Sequence, residues 1–211
     1  MNNLDLIIRN CQILQADMSL LKDGCIGVKS GRIEWIGSGD DVPAELDAGI
    51  FIDGSGKVAM PGFVDAHTHA AQQLLRGSVI DELPMVWTRI LVPFESNLKP
   101  EDVYCGAKLF CIENLKAGTT TFADAGGPFM EMVAQAAVET GIRGIISRST
   151  MDCGDQIPDA MKESTHDAIQ RTEELYKNWN GGGDGRIHIW FSIRQAMTSS
   201  PKLMEAVADR S

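Results

Sequence analysis

Residues 60–69 read Met60-Pro61-Gly62-Phe63-Val64-Asp65-Ala66-His67-Thr68-His69. The Pro-Gly pair punctuates the chain, a mostly apolar extended run follows, and two histidines close it at positions i and i+2. Side chains of a strand alternate between its faces, so His67 and His69 share one, about 6.6–6.8 Å apart along it. Two imidazoles so placed can converge on one metal ion with Zn–N distances near 2.0 Å. Asp65 has the same parity one step deeper, where it would orient a ligand or sit as a buried structural acid. An isolated His-x-His is more often a chance pair of surface histidines. This one stands at the carboxyl end of an expected parallel strand, where α/β sheets and barrels gather their ligands.

Working outward, the residues upstream of Pro61-Gly62 read as short strands at 4–9, 24–29 and 31–37, separated by glycines and turns, an all-β opening over 1–57. Downstream the rhythm changes to strand and helix in alternation, the mark of a parallel sheet covered by helices. Strands are expected at 62–69, 119–124, 144–150 and 187–194. A helix begins at Pro100-Glu101-Asp102, with acids in its first turn, and stops at Gly118; others are expected over 129–140, 160–178 and 201–210. Residues 58–211 thus hold about four βα units.

The 211 residues are 44% hydrophobic and 23% charged, a globular composition too apolar for disorder. Twenty-nine acids against nineteen basic residues leave a net charge of −10 with no basic patch, so neither nucleic acid nor a membrane surface is an expected partner. Five cysteines, widely spaced and without a Cys-x-x-Cys pair, read as reduced thiols. Residues 1–14 carry no basic segment leading into an apolar one, and no run approaches the roughly 18 apolar residues of a membrane span. A cytoplasmic location is therefore expected.

Together with Leu74-Leu75-Arg76-Gly77, the stretch at 60–69 resembles the first-strand signature of the amidohydrolase superfamily. It is closest to the branch holding methylthioadenosine/S-adenosylhomocysteine deaminases, guanine deaminases and triazine hydrolases. Ala117-Gly118-Thr119-Thr120-Thr121 with Asp124 is similar to that branch's second strand, and Gly141-Ile142-Arg143 through Arg148 to its third. Gly31-Arg32-Ile33-Glu34-Trp35-Ile36-Gly37 and Asp53-Gly54-Ser55-Gly56-Lys57 are similar to its N-terminal β-sandwich. The resemblance implies an α/β fold: the first half of a (β/α)8 TIM-type barrel over 58–211, preceded by part of a small β-sandwich over 1–57. It implies one divalent metal ion, zinc or iron, with His67 and His69 as its first two ligands. The implied activity is hydrolytic deamination of a purine-like or other N-heterocyclic small molecule by metal-activated water. In the branch the remaining ligands are histidines after the fifth and sixth strands and an aspartate after the eighth, with a glutamate that moves protons. These are expected beyond Ser211, so no catalytic acid or base is assigned. His188, near the start of its strand and roughly 20 Å below the mouth, and His166, in a polar helix, do not substitute for them.

Glu95, in Pro93-Phe94-Glu95, resembles the carboxylate with which nucleoside-handling deaminases hold ribose hydroxyls; an exposed loop acid is the plainer alternative. Arg148 matches a family position near substrate, against a salt-bridging surface arginine. Arg194 is a departure: Ile193-Arg194 stands where methylthioadenosine deaminases carry Pro-His, and a guanidinium at the strand mouth suits a carboxylate or a carbonyl-rich ring. No arginine occurs between Cys153 and Lys162, where those deaminases often place one, so an oxidised purine, a pterin or a triazine fits as well. Trp87 would stack on a heterocycle or pack on the barrel rim.

Residues 58–211 fall short of the roughly 250 that a complete barrel takes. Four of eight strands leave open edges and an apolar inner face, so a homo-oligomer is expected. A catalytically inactive truncated product or assembly partner is the alternative function, and a triazine-type chlorohydrolase the alternative chemistry. A cytidine-deaminase-type zinc site is excluded because His-x-Glu and Pro-Cys-x-x-Cys are both missing. A nucleotide-binding doubly wound sheet would want its glycines after the first strand, whereas Gly62 precedes it.

Overall fold

The computed structural model describes residues 3–39, 42, 47–82 and 84–211. The chain divides into two compact units, Met1–Pro61 and Gly62–Ser211.

The first unit, within the all-β opening expected, is a five-stranded mixed sheet. Strands β1 (Asn3–Leu14), β2 (Leu20–Lys29), β3 (Arg32–Ser38) and β4 (Asp47–Asp53) lie in the order β3-β2-β1-β4, and the short β5 (Val58–Ala59) also pairs with β1. The sheet's buried side chains form two clusters, Leu4 and Ile7 with Cys25, and Cys11 and Ile13 with Ile26, the β1–β2 register shifting between Ile8 and Ile13. Strand β4 was not among the expected strands, since Asp47, Gly49 and Asp53 are poor strand formers. Its parallel pairing with β1, from Leu4 opposite Ala48 to Arg9 opposite Asp53, supplies what propensity does not.

The second unit is the expected βα alternation. Strands β6 (Phe63–Thr68), β7 (Thr119–Asp124), β8 (Arg143–Ser147) and β9 (Ile187–Trp190) form an all-parallel sheet in sequential order. The main helices are α1 (Val92–Ser96), α2 (Pro100–Ala117), α3 (Met130–Thr140) and α4 (Thr165–Trp179), followed by the single turn α5 (Gly182–Gly185) and α6 (Pro201–Ala208). Gly118 and Gly141 end α2 and α3 at φ 90° and 84°, a conformation that costs a residue with a Cβ. One face of the sheet carries Phe122, Ile146, Ile187 and Ile189 into a core with Val103, Ala107 and Phe110 of α2 and Val133, Ala134 and Ala137 of α3. Phe110 and Phe122 meet edge to face at 5.2 Å. The opposite face leaves Val64, His188 and Trp190 exposed.

Three strands stop short of their expected ends, at Thr68, Ser147 and Trp190. Past these points hydroxyl groups replace main-chain donors. Ser149 Oγ donates to the Ala125 carbonyl (2.7 Å), Thr150 Oγ1 to that of Ser192 (2.6 Å), and Ser192 Oγ to that of Arg148 (2.8 Å). The chains remain side by side, with a single parallel bridge between Thr150 and Ile193. The helix expected from residue 160 begins at Thr165, because Ser164 Oγ accepts from the Asp167 N–H at 3.1 Å and caps it there. Among the described residues no helix is long and apolar enough to cross a membrane, and the five cysteines are free.

Candidate active site

The carboxyl ends of β6 to β9 bring the singled-out residues within reach of one another. His67 is exposed in β6, and its N–H donates to Asp65 Oδ1 at 3.2 Å. His69 stands just past the strand, preceding the 3-10 turn Ala70–Leu75, and is half-buried. The two rings lie edge to face with centroids 5.3 Å apart and planes at 89°. His69 Nδ1 is 2.7 Å from the Gly126 carbonyl. A carbonyl only accepts, so Nδ1 carries the proton and Nε2 keeps its lone pair. Burial pushes the His69 imidazolium pKa down, and the bond to Gly126 opposes this without reversing it. The ring is therefore neutral near pH 7, the form in which histidine ligates metals.

Gly126 is glycine for a steric reason. It sits at φ 98°, and a Cβ there would lie 2.3 Å from the Ser149 main-chain nitrogen. Asp124, at the end of β7, is buried; its Oδ1 accepts from the Gly126 N–H (2.8 Å) and its Oδ2 from the Ala70 N–H (3.0 Å). Burial raises its carboxyl pKa to about 7, against the pull of those two bonds.

Beside the histidines a cleft of about 300 Å³ is lined by His67, His69, Gln72, Trp87, Arg194 and Gln195. Arg194 faces it with the guanidinium 6.0 Å from the Trp87 ring centre. Glu95 does not line the cleft and is not an exposed loop acid. It is buried in α1, where Oε1 accepts from Arg194 Nη2 at 2.9 Å and from Gln72 Nε2, while Oε2 is buried without a hydrogen-bond partner. Arg194 Nη1 also reaches Ser149 Oγ at 3.2 Å. Arg148 points elsewhere. Its guanidinium forms a two-pronged pair with Glu163 (2.9 and 2.6 Å), which Arg171 joins at 2.7 Å, on the wall of a second cavity of about 470 Å³ that Arg194 also lines. Burial pushes the Glu163 carboxyl up, but the two arginines outweigh it and hold the group below its ordinary value. His166 and His188 are exposed and line neither cavity. Trp87 and Gln195 also border an apolar groove with Met85 and Met197 that the sequence reading did not anticipate.

Two imidazoles on one wall fit a divalent ion as two of the three protein ligands that a catalytic zinc takes. Among the described residues no group of three or more His, Cys, Asp or Glu side chains is placed to hold one. The sequence reading missed Gln72 and any role for Asp124, which it quoted only as part of a strand motif. A glutamine in a turn carries no signal of its own, and a carboxylate that binds main-chain N–H groups has no spacing to reveal it.

The sequence profile of the amidohydrolase family matches residues 58–211. A 5-methylthioadenosine/S-adenosylhomocysteine deaminase of Pelotomaculum thermopropionicum is 40% identical over 190 residues, covering 89% of this chain and 42% of that protein. A 5'-deoxyadenosine deaminase of Methanobrevibacter smithii is 36% identical over 98% of this chain and 46% of its own length. Among solved structures, an adenosine deaminase from Xanthomonas campestris with bound zinc superposes with a TM-score of 0.88 at 27% identity, over 99% of this chain and 47% of that one. A guanine deaminase from C. acetobutylicum shares the fold at 21% identity and a TM-score of 0.85. The chain spans less than half the length of these curated relatives. The parallel βα architecture, the paired histidines at the strand mouth and the profile match agree, and the chain belongs to the amidohydrolase family.

Proposed function

We propose that this chain carries part of the active site of a metal-dependent amidohydrolase that hydrolytically deaminates a purine-like N-heterocycle. The observation that carries the reading is the His67–His69 pair beside a cleft, with Nδ1–H of His69 fixed on Gly126 so that Nε2 is left for a ligand bond. The deaminase names of the relatives support the reaction class. His67 and His69 would hold a divalent ion, zinc or iron. When bound, such an ion supplies Lewis-acid chemistry, lowering the pKa of water enough to make hydroxide available near neutral pH.

The chain's own contribution is orientation. Arg194, held by Glu95 and facing Trp87, offers N–H donors toward the cleft and suits a ring bearing a carbonyl or an anionic group. Trp87 provides an apolar wall. Glu95 acts through Arg194 and Gln72 rather than by touching substrate, and Arg148, occupied by Glu163, is given no contact in the cleft.

Two measurements test the proposal together. Zinc binding followed by equilibrium dialysis is expected for the wild type and lost in His67→Ala and His69→Ala. Ammonia release from aminated purines, pterins and triazines, by a protein extended to the length of its relatives, is expected for at least one purine-type compound and abolished by a chelator. Zinc binding indifferent to both substitutions, or no ammonia from any compound by the metal-loaded, extended protein, overturns it.

A further inference from the structure

A buried carboxylate is costly to hold away from water unless hydrogen bonds compensate it. Asp124 has no cationic side chain within hydrogen-bond reach. Among the described residues its carboxylate accepts from two main-chain N–H groups, and both belong to the immediate frame of His69. Ala70 N–H is the peptide group that directly follows His69, and it bonds Oδ2 at 3.0 Å. Gly126 N–H, which bonds Oδ1 at 2.8 Å, belongs to the residue whose carbonyl accepts the His69 Nδ1–H at 2.7 Å. A third bond, from the Ala125 N–H to the Thr68 carbonyl at 2.9 Å, completes the pairing of residues 124–126 with 68–70. One side chain therefore ties the main chain on the far side of His69 to the acceptor that orients its ring. Packing alone does not call for an acid here, because the neighbouring core positions Phe122 and Ile146 are filled by apolar groups.

We propose that Asp124 is a positioning residue for His69, fixing the ring's tautomer and the direction of Nε2 by clamping Ala70 and Gly126 to each other. This rests on the reading of His69 as a metal ligand. In Asp124→Asn only one amide oxygen accepts, so an NH2 group is set against one of the two main-chain N–H donors and one arm of the clamp opens. Losing a partner that orients a ligating histidine typically weakens metal affinity about 10–100-fold.

The test compares wild type, Asp124→Asn and Ser147→Ala by zinc affinity and by the 15N shifts of the His69 ring, on the full chain. Ser147 Oγ donates to the Asp124 main-chain carbonyl at 2.9 Å, so its loss loosens the same strand without touching the clamp. The expected result is an Nδ1–H tautomer and His69-dependent zinc binding in wild type. In Asp124→Asn a mixed tautomer should accompany the 10–100-fold affinity loss, whereas Ser147→Ala lowers only the unfolding midpoint. An unchanged tautomer and affinity in Asp124→Asn, or the same changes in Ser147→Ala, overturns the proposal. If Asp124→Asn does not fold, the wild type still tests it: the Ala70 and Gly126 amide protons should exchange slowly and His69 should carry its proton on Nδ1. Fast exchange at both, or an Nε2–H ring, overturns it. Failure of the underlying site reading looks different, because zinc then binds no more weakly to His69→Ala than to wild type whatever Asp124 does to the tautomer.

Discussion

At the scale of single residues, the Glu95–Arg194 pair is the most exacting feature of the candidate site. The side chains are 0% and 4% exposed and lie 2.9 Å apart. Desolvating two charges offsets most of what their attraction returns, so such a pair is weak support for stability as a whole, yet removing one partner strands the other. Arg194→Met is therefore expected to lower the unfolding free energy by about 3–5 kcal/mol, while the double variant Glu95→Leu/Arg194→Met is expected to be at least as stable as wild type. Urea unfolding of the two measures this. A single variant within about 1 kcal/mol of wild type would mean that water reaches the pair. A stabilising double variant that loses the ligand cleft is consistent with a pair kept for the geometry of Arg194.

At the scale of elements, α2 and α3 are joined on their outer side by polar bonds as well as by the core. Glu139 near the end of α3 accepts from Tyr104 Oη at 2.6 Å and pairs with Lys108 Nζ, both on α2. The Lys108 bond, then those of Tyr104 and Gln135, hold the Glu139 carboxyl down at about 2. A carboxylate whose folded-state pKa lies below its unfolded value contributes stability above the unfolded pKa and loses it as pH falls through the folded one. The unfolding midpoint of wild type is thus expected to exceed that of Glu139→Gln near pH 6, and the gap to close as pH drops from about 4.5 toward about 2. Equal midpoints at both ends of that range would count against the bond. The site sits at the other end of these elements, where β7 and β8 hand over to loops, so this variant is expected to leave zinc affinity unchanged.

At the scale of the whole molecule, apolar surface lies open in both units. Val64 and Trp190 on the sheet face away from the helices are 66% and 59% exposed, and in the first unit Ile50 and Phe51 are 57% and 56% exposed. Apolar patches of this kind mark interaction surfaces, and the all-parallel sheet also has unpaired edges at β6 and β9. Concentration-dependent self-association is expected in sedimentation velocity despite the net charge of −10. A sharp monomer boundary at every concentration, with cooperative melting, would argue against it.

The alternation of short β runs with capped amphipathic helices, and the pair of histidines closing the first barrel-type strand, were determined by the sequence alone. These are local signals: period-two and helical patterning, acids in a first turn, glycine at a helix end, and two side chains separated by one residue on a strand. The strand β4 was not legible, because its residues have little intrinsic preference and depend on β1 to pair with. The setting of the site was not legible either. That Glu95 meets Arg194 across 99 residues, that Arg148 is taken by Glu163, and that Asp124 braces His69 through Ala70 and Gly126 were decided by tertiary structure. Each depends on the carboxyl ends of adjacent parallel strands arriving side by side, and a charged group in a low-dielectric interior takes whichever partner that arrangement places within reach.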